Sequence, residues 1–201
     1  MIKKIVTNIV LLIALGATLV ANDTDELTQM MTKKVNFVIK TIKDENLTRT
    51  QKDKALSESI EGLFDYTLMA RLSVGKKVWK SLSSDKKQEF VKLFSDTMKK
   101  SYLEKSYLLS DEKVIVEEAK QTKKSRISVP VTITGSKESM QMVYKFYHSK
   151  KEIWLIYDVE IAGVSILQTY RSQYAELLKD GNIDELMKLL REKLAKTTQS
   201  K

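Results

Sequence analysis

The spacing of apolar residues changes twice along this chain of 201 residues, and the two changes restrict it to few architectures. Before about Lys113 the apolar positions follow a helical period. Leu27, Met31, Val35, Val38 and Ile42 recur three or four apart, which predicts an amphipathic helix over about 24–44. Thr48 followed by Gln51 is a capping box, opening a second helix that carries Leu56, Ile60 and Leu63. Asp65 can cap a shorter helix bearing Leu68, Met69 and Leu72, with Gly75 at its end. Ser83 or Ser84 starts the longest helix, where Phe90, Phe94, Met98 and Tyr102 fall four apart.

From about Lys113 the period becomes two. Ile127, Val129, Val131 and Ile133 alternate with Ser128, Pro130, Thr132 and Thr134, the pattern of a half-buried strand. Pro130 has no N–H to give a ladder, so the strand is expected to be an edge or to bulge there. Gly135-Ser136 turns the chain into a strand with Met140, Met142, Tyr144 and Phe146 on one face. A second turn at Ser149-Lys150-Lys151 leads to Ile153–Ile161. This segment is apolar on both faces except for Asp158 and Glu160, and is therefore expected at the centre of the sheet. Helical spacing returns after Gly163. Ser165 and Gln168 form another capping box, and Leu167, Tyr170, Tyr174, Leu177 and Leu178 follow. Gly181 is expected to stop that helix. Asn182 with Glu185 then caps a last one bearing Leu186, Leu190 and Leu194, and the tail from Thr197 is expected to fray. Consecutive strands joined by short turns, with helices before and after, give an antiparallel sheet and an α+β fold.

The first residues carry a separate message. Met1-Ile2-Lys3-Lys4 is cationic, and an apolar run from Ile5 to Val20 follows, stopping at Ala21 before the acidic Asn22-Asp23-Thr24-Asp25-Glu26. This is the form of a secretory signal peptide, with cleavage expected near Ala21 and a single domain over residues 22–201. A membrane anchor needs ~20 predominantly apolar residues, and the uninterrupted part here, Ile9 to Leu15, is much shorter. Cysteine is absent, which removes disulfides, thiolate metal sites and an N-terminal lipid-bearing cysteine; the exported product is expected to be free in solution. The formal charge is +9, and removing Lys3 and Lys4 leaves +7. Such a balance suits acidic partners, and after export a membrane surface fits better than nucleic acid. A lysine-rich solvated exterior accounts for the same charge, because the lysines are spread along every segment.

Catalytic machinery is hard to assemble from this inventory. The one histidine, His148, sits at an expected hairpin turn among lysines, and a metal site needs more nitrogen or sulfur ligands than the chain owns. With six glycines, no phosphate loop or dinucleotide fingerprint appears. Asp158 stands inside an apolar strand. It is either a general base in a pocket or a structural acceptor for backbone amides or for Arg171.

Two stretches carry a family resemblance. The first runs from Phe64 to Leu103, with Gly75, Trp79, Phe90 and Phe94. The second runs from Trp154 to Leu178, with Trp154, Tyr157-Asp158-Val159, Gly163-Val164-Ser165 and Tyr170-Arg171-Ser172-Gln173. Together they resemble the MlaC family, also called the toluene-tolerance family, of periplasmic phospholipid-binding proteins. The resemblance implies an NTF2-like fold, a strongly curved antiparallel sheet packed by N- and C-terminal helices around a lipid cavity. It implies a periplasmic carrier, not an enzyme, with bound phospholipid as cargo and no cofactor. Its partners would be an outer-membrane lipoprotein–porin complex and an inner-membrane ABC transporter with an MCE-domain subunit, and its traffic would preserve outer-membrane lipid asymmetry. The resemblance extends to a hopanoid-associated branch, so another lipid is an alternative cargo; an NTF2-like enzyme with Asp158 as base and a basic adaptor that binds envelope proteins and no ligand are the other readings.

The residues themselves suit a carrier. Methionine adapts to ligands of variable shape, and tyrosine offers an apolar wall with a polar tip; the chain has eight of each. The cavity lining is expected from Phe94, Met98 and Tyr102 on the longest helix and from Val131, Ile133, Met142, Tyr144, Phe146, Trp154 and Ile156 on the strands. Val164, Leu167 and Tyr170, around the start of the helix that follows, complete the expected set.

Overall fold

The computed structural model describes the backbone of residues 2–135, 139–179 and 182–196, and side chains from residue 23 to 195 within these. Ser136, Gly181, the tail from Thr197 and the side chains of the leader lie outside the described residues. Six α-helices and one antiparallel sheet make up the described chain. Helices α1 (Ile2–Lys43), α2 (Arg49–Ser59), α3 (Tyr66–Ser81) and α4 (Ser84–Ser106) come first, followed by a 3-10 turn, Tyr107–Leu109. Strands β1 (Lys113–Val116), β2 (Lys120–Lys123), β3 (Arg126–Thr134), β4 (Ser139–His148), β5 (Trp154–Ile161) and β6 (Val164–Ser165) follow. Helices α5 (Ile166–Leu177) and α6 (Ile183–Lys196) close the chain.

The helix starts are built by the expected caps. At Thr48 both bonds of the capping box form: its hydroxyl accepts from Gln51 N, and Gln51 Oε1 accepts from Thr48 N at 2.8 Å. Asp65 Oδ1 accepts from Leu68 N at 2.8 Å, and Ser83 Oγ accepts from Lys86 N at 3.3 Å. Asn182 Oδ1 accepts from Asp184 N at 3.1 Å. Each satisfies an amide that the helix itself leaves unpaired.

Helix α1 starts far earlier than residue 24. It runs unbroken from Ile2, since no Gly or Pro stands between Thr18 and Leu27 to interrupt it. Gly75 breaks α3 where expected, with φ 79° and ψ 164°, but the chain resumes a helical course to Ser81 instead of stopping. That φ/ψ pair belongs almost wholly to glycine.

The sheet has the order β1-β3-β4-β5-β6, with β2 following β1 along the same side of β3. Strand β3 is thus interior, not an edge. Pro130 is accommodated because β1 pairs with Val131–Thr134 and β2 with Arg126–Ser128, leaving a break opposite it. Pro130 O accepts from Glu117 N at 2.9 Å, so its donorless nitrogen faces the same break. Strand β5 is not central either. Beyond β4 it has, among the described residues, only the two-residue β6 and a short parallel bridge to Phe64, made by Asp65 N to Ile156 O and Ile156 N to Leu63 O, each 2.9 Å. Its second face is apolar because α3 and α5 pack on it.

A bulge interrupts the β4–β5 ladder: Phe146 opposes Ile156 and Lys145 opposes Asp158, leaving Tyr157 as the extra residue. The extra residue reverses the alternation, so Asp158 turns away from the face that Phe146 and Tyr144 share. Two main cores result. One lies among α3, α4, α5 and α6 around Phe90, Phe94, Leu167 and Leu186; the other lies between α1 and the sheet, around Met31, Ile127, Val129, Phe146 and Ile156. A smaller one joins Val38, Ile42 and Leu56.

Candidate functional site

Where the sheet core meets the small third core, packing is incomplete and an apolar cleft opens. Helix α1 supplies one wall through Met31, Lys34, Val35 and Val38. The odd-numbered face of β3 and the matching face of β4 supply the opposite wall, with Val131, Ile133, Met142 and Tyr144; Val114 of β1 joins them. Ser59, Ile60, Leu63 and Phe64, which link α2 to α3, close one side. Tyr102, Ser106 and Leu109, from the end of α4 and the 3-10 turn, close the other. The free space of the cleft, counted out into its open mouth, measures about 600 Å³.

Its polar groups are few. The Lys34 ammonium donates to the Ser59 carbonyl at 2.5 Å. Burial pushes the Tyr102 phenol above its ordinary range, opposed by the neighbouring Ser59 and Ser106 hydroxyls. Burial pushes the Tyr144 phenol further up, and nearby Tyr102 adds to the rise. Both phenols therefore stay neutral in the physiological range, as donors on an otherwise greasy wall.

Five of the residues expected to line a cavity do line this cleft: Tyr102, Val131, Ile133, Met142 and Tyr144. The other eight do not. Phe94, Leu167, Met98 and Tyr170 belong to the helical core on the other side of the molecule, with Tyr170 against Phe94 at a ring distance of 5.6 Å. Phe146 and Ile156 are fully buried in the sheet core. Trp154 is half-buried against that core with its ring 5.0 Å from His148, and Val164 is 59% exposed. Missing from the expected lining was the whole α1 wall. The stripe Met31, Val35, Val38 was legible as an apolar face, and the neighbouring pair Met30-Met31 was the available hint that this face meets something adaptable.

Asp158 is held as a structural acceptor. Its Oδ1 accepts from Val159 N at 2.9 Å and from Leu167 N at 3.3 Å, and its Oδ2 accepts from the Ser165 hydroxyl at 2.8 Å. Ser165 Oγ in turn accepts from Gln168 N at 3.1 Å, so the carboxylate ties β5 to the first turn of α5. Lys145 Nζ lies 3.8 Å away and bonds Glu160. Arg171, the alternative partner, lies instead beside Gly75, where an added Cβ would stand 3.6 Å from its guanidinium. Asp158 does not line the cleft. Among the described residues no cluster of three or more His, Cys, Asp or Glu could hold a metal ion, and no helix is long and apolar enough to cross a membrane.

Against known proteins, the family model described as MlaC protein matches residues 29–192. No curated protein matches. Among solved structures, a phospholipid-binding protein from Ralstonia solanacearum, determined in complex with a phospholipid, is similar at 20% identity and a TM-score of 0.69. The match covers 84% of this chain and 97% of that one. At that identity the likeness establishes the fold.

Proposed function

This chain belongs to the MlaC family, and on that premise we propose that it is a carrier that takes a phospholipid by its tails and moves it across the aqueous periplasm. In this reading residues 1–21 are the export signal, residues 22–201 are the working domain, and lipid is the cargo in place of any cofactor. The route follows from the family resemblance. It runs between an outer-membrane lipoprotein–porin complex and an inner-membrane ABC transporter with an MCE-domain subunit, and keeps the outer membrane asymmetric.

The observation that carries the reading is the apolar cleft between α1 and the sheet, in a fold shared with a protein determined with phospholipid bound. Two acyl chains with about thirty methylenes together represent on the order of 20 kcal/mol of unfavourable exposure in water. A cleft walled by Met31, Val35, Val38, Val131, Ile133 and Met142 offsets most of that cost, so exchange with a bilayer is close to balanced and needs no catalysis. Direction must then come from the partners.

The size of the cleft adds a requirement. If each methylene takes about the ~30 Å³ share of a water molecule, two tails need roughly 900 Å³. The cleft measures about 600 Å³ even when counted to its mouth. Loading therefore needs α1 to lift from the sheet, and methionines on both walls let the contact re-form around a ligand. The competing reading, an enzyme with Asp158 as base, loses its support because that carboxylate is committed to three donors away from the cleft.

Native mass spectrometry of protein extracted under gentle conditions tests this. Bound diacyl phospholipid is expected, and Met142→Trp, which fills the cleft, is expected to lower occupancy several-fold while leaving the melting temperature within a few degrees. A different bound lipid, such as a hopanoid, would redirect the substrate assignment. A protein that never carries lipid, or a Met142→Trp variant loaded like the native chain, would refute the site.

A further inference from the structure

The cleft does not end at its mouth. Leu109 and Ile133 line it and also line a second, more open hollow of about 470 Å³, which Leu108, Glu112, Gly135 and Met140 line as well. The charged group on its wall is of the opposite sign: the cleft has the Lys34 ammonium, already bonded to the Ser59 carbonyl, whereas the second hollow has the Glu112 carboxylate. Glu112 Oε2 is buried and has no hydrogen-bond partner among the described residues. The carboxylate reaches this position because residue 135 is glycine. A Cβ there would lie 2.5 Å from Oε2 and 2.9 Å from Oε1, closer than side-chain contacts allow.

A carboxylate oxygen withdrawn from water without a donor is unfavourable, and the imbalance is relieved when a cationic donor arrives. We propose that this hollow receives the headgroup of the carried lipid, and that Glu112 selects headgroups bearing a primary ammonium, as in phosphatidylethanolamine. The inference rests on the carrier reading and extends it. With tails in the apolar cleft, the headgroup leaves past Leu109 and Ile133 and meets Glu112. An ammonium is compact, positive and carries three N–H donors. A choline headgroup has the charge but no N–H, and a glycerol headgroup has donors but leaves the lipid anionic beside a carboxylate. Both lack half of what the site asks for. The selection also runs against the net charge of the working domain, +7 once Lys3 and Lys4 are taken from the chain's +9, which by itself favours anionic lipids.

The test offers the full chain vesicles of equal parts phosphatidylethanolamine, phosphatidylcholine and phosphatidylglycerol, re-isolates it and identifies the bound lipid by mass spectrometry. The native chain is expected to enrich phosphatidylethanolamine roughly tenfold, the ratio that one hydrogen bond to a charged group provides. Glu112→Gln should bind as much lipid in total but in the proportions of the vesicle, and should melt no lower than the native chain because it removes an unpaired buried charge. Gly135→Ala keeps the charge but displaces the carboxylate, and should lose the preference in the same way. Free ethanolamine should not compete, because the tails supply the affinity. An unchanged headgroup ratio in Glu112→Gln, or displacement of lipid by free ethanolamine, would overturn the proposal while leaving the carrier reading intact. Absence of any lipid on the native chain would overturn both.

Discussion

Replacing Asp158 separates a carrier with a structural aspartate from an enzyme with a catalytic one, and the structure gives the size of the effect. The carboxylate accepts from two backbone amides and one hydroxyl, and it sits at the N-terminal end of α5. Asp158→Ala leaves three buried donors without an acceptor and removes a negative charge from the positive end of a helix dipole. At ~1–3 kcal/mol for an unsatisfied group and ~0.3–1 kcal/mol for the dipole, with the short local bond to Val159 worth least, the loss is about 3–5 kcal/mol. Asp158→Asn keeps the shape and an oxygen for the amides. Its new amide group points at a Ser165 oxygen that already accepts from Gln168 N, so the loss falls to about 1–2 kcal/mol. In a chain of this size 1 kcal/mol corresponds to about 2–4 °C, so the asparagine variant should melt about 2–8 °C lower and the alanine variant much lower still. Circular dichroism during heating and urea titration reads both numbers. Mass spectrometry of the folded fraction of the asparagine variant should find the same lipid load as the native chain. If Asp158→Asn melts with the native protein and loses its ligand or a measurable turnover, the structural assignment of this residue is wrong.

Two further outcomes follow from the same coordinates. Gly75→Ala should lower stability by about 1–3 kcal/mol, because the backbone there occupies a region only glycine enters freely; an unchanged urea midpoint would contradict the conformational argument. The tyrosines should make the fold sensitive to alkali. Tyr107 and Tyr147 are pushed up to about 12, chiefly by burial and then by the Asp53 and Asp65 carboxylates to which their hydroxyls donate. Burial also pushes Tyr66, Tyr102, Tyr144, Tyr170 and Tyr174 upward. Unfolded tyrosines ionise near pH 10, so the unfolded state gives up protons first. Stability from these groups is complete below about pH 10 and is lost as pH climbs towards 12 and beyond. Phenolate absorbance and circular dichroism should change together in that window, and phenols that ionise near pH 10 with the fold intact would refute the burial assigned to them.

The chain announces its helices and strands through features that act over three or four residues. The hydroxyls and carboxylates of Thr48, Asp65, Ser83 and Ser165 meet amides of their own first turn, so their effect needs no partner from elsewhere. Alternation in Ile127–Ile133 likewise names a buried face from local spacing, and the resemblance carried by Trp154–Leu178 and Phe64–Leu103 led to the right family. Periodicity tells which face of an element is covered, but not by what. Phe94, Met98, Leu167 and Tyr170 read like Tyr102 and Met142, yet they pack into the core among α3, α4, α5 and α6, away from the cleft. Tyr102 and Met142 line the cleft together with α1. The single extra residue at Tyr157 turned Asp158 towards α5, and a break between β1 and β2 let Pro130 sit inside the sheet. Both depend on which strands become neighbours. Glu112 and Gly135 are joined only where a 3-10 turn and a strand end come together. Local chemistry specified the elements from sequence alone. The cleft, the orphaned carboxylate beside it and the choice of which greasy residues face empty space arise from packing between segments distant in the chain, and that packing exists only once the whole molecule has folded.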